Sequence, residues 1–163
     1  YHFRIQEVEA PDGYLLDPTV HDFQFNIKTD QYQTLTYQYE AADSPNRVII
    51  SKKQLTTKEE LPGASLEVRR VTEMVDKDGT VIRIDGDVIE SWISTEVPHE
   101  LECLTEGMYV LIETRAPEGY IEAEKVYFTI SGNMTVDDMP MVEMFDDETK
   151  IEIRKVDSEN GNP

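Results

Sequence analysis

One phrase occurs twice in this chain and limits what the chain can fold into. Residues 7–14 read E-V-E-A-P-D-G-Y, and residues 113–120 read E-T-R-A-P-E-G-Y. Each copy closes a run in which apolar and polar residues alternate, the period of a strand with one face on a core. Two further phrases recur at nearly the same distance. V-I-I-S-K-K at 48–53 matches I-E-I-R-K-V at 151–156, and D-S-P-N-R at 43–47 matches D-D-E-T-K at 146–150, both 103 residues on; the Glu phrases lie 106 apart. Three concordant offsets mark a tandem repeat of about a hundred residues. Within a unit the order is Lys, then Glu, then Asp, and one complete set is present: Lys52, Glu113 and Asp146. The reading is a complete domain at 47–150, the C-terminal half of a preceding one at 1–46, and the first strand of a following one at 151–163. The chain starts within a strand pattern and stops within a turn-like stretch, as a piece of a longer protein would.

Strand signals dominate. Short β-branched and aromatic runs alternate with Gly, Pro, Asn and Asp clusters, the pattern of an all-β sandwich or barrel. No amphipathic helix is evident. Residues 54–62 suit a turn or a short helical stretch. D-K-D-G at 76–79 and I-D-G-D at 84–87 read as hairpin turns, because Asp-Gly supplies the positive φ such turns require.

Charge excludes several functions. Thirty-four acidic residues against 15 basic ones give a net charge of −19. Nucleic acid and anionic lipid both demand a basic surface, so neither is an expected partner. No apolar run approaches the ~18 residues of a membrane-spanning helix, so no membrane insertion is expected from this segment. The single cysteine, Cys103, rules out an intrachain disulfide and reads as a small buried hydrophobe in a strand. His2, His21 and His99 lack metal-ligand spacing, and no Ser stands in a nucleophile-elbow setting. Trp92 reads as core packing.

Strand phase singles out the candidate site. Val48 and Ile50 share a face with Lys52; Tyr109 and Leu111 share one with Glu113; Val142 and Met144 share one with Asp146. The partial units repeat the pattern. Phe3 and Ile5 lead to Glu7, the run Leu35, Tyr37, Tyr39 and Ala41 leads to Asp43, and Ile151 and Ile153 lead to Lys155. An ionisable group on a core face is costly unless it is paired or neutralised. Strand ends reaching solvent would account for any single case, but not readily for six in phase.

Three such groups together suggest a reaction. A dry interior favours the neutral forms of amines and carboxylic acids. A neutral Lys52 amine is a nucleophile, and a neutral Asp146 offers an electrophilic carbonyl. Glu113 in its acid form would polarise that carbonyl and carry protons from the amine to the departing hydroxyl. The product is a side-chain amide plus water, formed once, with no cofactor and no turnover. A buried, non-covalent Lys–carboxylate bridge is the milder alternative.

The motifs resemble those of CnaB-type domains, the collagen-adhesin B repeats of Gram-positive surface proteins and pilins. The matching stretches are I-I-S-K-K-Q-L at 49–55, E-E-L-P-G-A-S-L-E-V at 59–68, I-E-S-W-I-S at 89–94, Y-V-L-I-E-T-R-A-P-E-G-Y at 109–120, V-Y-F-T-I at 126–130 and V-E-M-F-D at 142–146. The resemblance implies tandem Greek-key β-sandwiches of reversed-immunoglobulin, prealbumin-like type. It also implies a self-formed isopeptide bond from Lys52 to Asp146 assisted by Glu113. Glu7 and Asp43 would take the last two roles in the leading copy, and Lys155 the first in the trailing copy. The expected function is a stalk or backbone segment of a cell-wall-anchored protein or pilin on the bacterial surface, its partners being neighbouring repeats of the same protein. The alternative is an adhesin module whose sandwich-end loops grip a host protein or glycan. A third reading lets one chain's trailing strand complete another's open leading half.

Overall fold

The computed structural model describes residues 1–25 and 36–150. Two antiparallel strands, β1 (His2–Gln6) and β2 (Val20–Gln24), form a small separate sheet. The remaining strands are β3 (Arg47–Gln54), β4 (Ser65–Val75), β5 (Val81–Ile93), β6 (His99–Glu102), β7 (Gly107–Arg115), β8 (Val126–Ile130) and β9 (Met141–Asp146). They make a three-stranded sheet of order β6-β3-β9 and a four-stranded sheet of order β5-β4-β7-β8. Strands β3 and β9 run parallel, with Lys52 opposite Met144 and Gln54 opposite Asp146. Every other strand pairing among the described residues is antiparallel.

The alternation read from sequence explains why these strands stack as a sandwich. Val48 and Ile50 of β3, Leu101 of β6 and Val142 and Met144 of β9 join Leu66 and Val68 of β4, Tyr109 and Leu111 of β7 and Phe128 and Ile130 of β8 in one buried cluster. Both sheets therefore bury one face against the other, and the all-β sandwich is as expected. Among the described residues the only helical turn is a 3-10 segment at Val136–Asp138.

Local expectations fared unevenly. Asp76–Gly79 does make the β4–β5 turn: Gly79 N–H donates to Asp76 O at 3.1 Å, and Gly79 has φ of 83°. Asp85-Gly86 is not a turn. It lies inside β5, beside the register shifts around Arg69, where a Cβ on Gly86 would come within 3.0 Å of the Arg70 carbonyl oxygen. Glycine there serves a bulge and a close backbone approach, which an Asp-Gly pair cannot announce by itself. The strand expected to lead to Asp43 is not formed over 36–44, and Leu35 lies outside the described residues. Cys103 is exposed, not buried, and follows β6 at φ 58°. Trp92 is half-buried against the core and stacks on His99, the ring centroids 4.2 Å apart.

Candidate isopeptide site

Lys52, Glu113 and Asp146 converge in the interior. Their residues are 2%, 2% and 0% exposed, as low as the apolar core around them. Each follows from its strand: Val48, Ile50 and Lys52 face inward along β3, Tyr109, Leu111 and Glu113 along β7, and Val142, Met144 and Asp146 along β9. Lys52 Nζ contacts Asp146 Oδ1 directly and lies 3.2 Å from Glu113 Oε1. The amine thus sits between two carboxyl groups contributed by different sheets.

Glu113 is held from its other side. Its Oε2 accepts the Ala123 N–H at 2.7 Å. A bulge in the β4–β7 pairing immediately after Glu113 ends the regular ladder there. Burial pushes the Glu113 carboxyl above its ordinary value, against the opposing pull of the Ala123 N–H and the Lys52 charge. Among the described residues two buried side-chain oxygens lack a hydrogen bond, Glu113 Oε1 and Asp146 Oδ2. Oε1 pairs with the amine at 3.2 Å as an ion-pair contact without hydrogen-bonding geometry. Buried acceptors left in this way cost about 1–3 kcal/mol each.

The partial set is arranged differently. Glu7 is half-buried, and its Oε2 accepts the Asp17 N–H at 2.7 Å, the same ten-residue reach that Glu113 makes to Ala123. Asp43 is exposed, so its expected inward phase is not met; with no strand over 36–44, nothing fixes alternation there. Glu7 and Asp43 nevertheless line one groove of about 320 Å³ with Ile5, His21, Tyr39 and Ala41. No lysine lines it. Lys155 lies outside the described residues. Sequence reasoning missed the Ala123 and Asp17 amides that anchor the two glutamates. Their shared offset after a shared phrase was the available signal.

A family model described as SpaA, prealbumin-like fold domain, matches residues 46–141. The chain belongs to this family. The match includes Lys52 and Glu113 and stops before Asp146. It agrees with the CnaB and pilin resemblance read from the motifs. Among solved structures, a doubly substituted shaft pilin SpaA from Lactobacillus rhamnosus GG aligns at TM-score 0.50 and 16% identity, covering 93% of this chain and 66% of that one. The C-terminal domain of the same pilin aligns at 0.45 and 18%, covering 64% and 98%. The group B streptococcus pilus 2b backbone protein aligns at 0.45 and 17%, covering 80% and 48%. At such identities the likeness concerns the fold alone. A search of curated proteins returned no match.

Proposed function

We propose that the chain is a load-bearing shaft segment of a pilus or cell-wall-anchored protein at the bacterial surface, locked by an amide between Lys52 and Asp146. The observation that carries this reading is the direct contact of Lys52 Nζ with the Asp146 carboxyl inside a fully buried site that also holds Glu113. In the reaction, the neutral amine attacks Asp146 Cγ while Glu113 in its acid form polarises the carbonyl. The C–N bond forms and the C–OH bond breaks. Glu113 passes the amine proton to the departing hydroxyl, which leaves as water, and ends as it began. Burial raises the Glu113 carboxyl, the direction that favours the acid form this role needs. Contact distance and a dry site supply the effective molarity that replaces a cofactor or an enzyme. Two charges become none, which removes the burial cost of both. In the leading segment, Glu7 and Asp43 take the corresponding roles, with the amine arriving on a strand that fills their groove; Lys155 is the amine of a following unit.

The mechanical benefit follows from topology. Lys52 lies on the first strand of the sandwich and Asp146 on the last, and these strands are parallel neighbours. Tension entering at β3 crosses the amide and leaves after β9, so the segment between them is never loaded. The links at 94–98 and 103–106 are short, but those at 55–64, 116–125 and 131–140 are longer, so the shaft reading rests on the buried site and not on loop length. Intact mass tests the chemistry. The parent should weigh one water less than its sequence, and Glu113→Ala or Lys52→Ala should restore the full mass. A parent at full mass would refute the bond.

A further inference from the structure

The repeated A-P-[DE]-G-Y turn does the same local work in both copies but, among the described residues, is covered by the sandwich in only one. In each copy the Tyr N–H closes the turn onto the Pro carbonyl, Tyr14 to Pro11 at 3.0 Å and Tyr120 to Pro117 at 3.1 Å. The next residue donates to a following acidic-loop carbonyl, Leu15 to Ser44 at 2.8 Å and Ile121 to Asp147 at 3.0 Å. The glycine carbonyl accepts from the end of that loop, Gly13 from Asn46 at 2.9 Å and Gly119 from Thr149 at 2.8 Å. Gly13 and Gly119 share a left-handed φ, 84° and 88°. The two turns are the same object.

The first turn is seated on the sandwich. Gly13 is buried, and a Cβ there would come within 3.0 Å of the Cys103 carbonyl oxygen. Ala10 N–H donates to Asn133 Oδ1 at 2.9 Å, and Leu16 N–H to Met134 O at 2.8 Å. Leu15 packs onto the core. Asn46 clasps the receiving loop with both ends of its amide, donating to Leu104 O at 2.7 Å and accepting from Leu104 N at 2.9 Å. In the second turn Gly119 is exposed, with nothing among the described residues within 4 Å of a Cβ placed on it. Ile121, the counterpart of Leu15, is 54% exposed. The phrase that opens the sandwich at 48–53 begins again at 151–156.

We infer that Gly119, Ile121 and Thr149 form the docking face for a following unit of the same chain, which presents the equivalents of Cys103-Leu104 and Asn133-Met134. Each joint then repeats the last, and successive units stack at one fixed relation instead of swinging on a linker. The second joint differs in one respect: Thr149 stands where Asn46 stands, so the two-ended amide clasp is replaced by a hydroxyl that donates to Gly119 O at 2.8 Å. This inference does not depend on the Lys52–Asp146 bond.

The test carries the chain past Lys150 into a second copy of residues 48–150 and measures residual dipolar couplings in both sandwiches. A docked joint gives the two sandwiches one common alignment tensor. Ile121→Ser, which adds no backbone strain and leaves the melting of the 163-residue chain unchanged, should lower the alignment of the second sandwich severalfold relative to the first. Asn133→Gly in the second copy alone keeps a residue suited to positive φ but removes the acceptor, and should loosen the joint likewise. Independent alignment in the unmodified tandem, or variants that change nothing, would overturn the inference. Intact mass of the same samples reports the amide separately.

Discussion

Glu113→Gln is the sharpest probe of the shaft reading. The substitution preserves shape and burial but removes the acid proton, so Lys52 and Asp146 remain side by side without fusing. The structure then sets the size of the mechanical change. Lys52 and Asp146 are 94 residues apart in sequence. At 3.3–3.6 Å per extended residue, unfolding an unlinked sandwich under tension releases roughly 310–340 Å of chain. With the amide in place almost none of that length can be released, because the load crosses from β3 to β9 at the bond. Pulling through 1–163 in a single-molecule force experiment should show no such step for the parent and one step of that size for Glu113→Gln. The same variant should lose about 4–5 kcal/mol of stability, the loop-closure entropy of a crosslink spanning that segment. A parent that releases the full length would refute the reasoning, whatever its mass.

Three other outcomes can be checked more simply. Glu113 binds its proton more tightly in the native state than its ordinary value of 4.5 allows, so its contribution to stability is complete below that value and is lost as pH rises through the raised native one. In Lys52→Met, where no amide can form, Tm should fall from acid toward neutral pH, and adding Glu113→Gln should flatten the fall; a flat profile in Lys52→Met alone contradicts the assignment. Ser94→Ala strands the Ala64 N–H, which Ser94 Oγ accepts at 2.9 Å, and the Leu61 carbonyl, to which it donates at 2.7 Å, both in the interior, and should cost about 1–3 kcal/mol in urea unfolding. Asn46→Ala removes both ends of the Leu104 clasp and should speed amide exchange at Leu104 while leaving the Lys52–Asp146 mass deficit intact.

Much of the site was legible because strand geometry is strict. A period of two fixes which side chains face inward, so Val48-Ile50-Lys52, Tyr109-Leu111-Glu113 and Val142-Met144-Asp146 could be read as inward runs ending in charge before any contact was known. The same rule misled at Asp43, where alternation was present but no strand formed over 36–44 to enforce it. Cys103, read as a small buried hydrophobe in a strand, is exposed instead and sits just past β6 with a left-handed backbone.

The sequence by itself determined the class of fold and the identity of the three ionisable residues on core faces, since periodicity and spacing are properties of the chain alone. Only the tertiary structure decided that those residues meet. Contact between Lys52 and Asp146 requires β3 and β9 to lie side by side and parallel, a pairing across almost the whole sandwich that no local pattern encodes. It also decided that, among the described residues, one glycine turn is covered and its twin is not, because burial of Gly13 depends on a loop 90 residues downstream, at Cys103. Short-range preference is written in neighbouring residues; long-range proximity emerges only when competing ways of burying the same apolar faces are settled together.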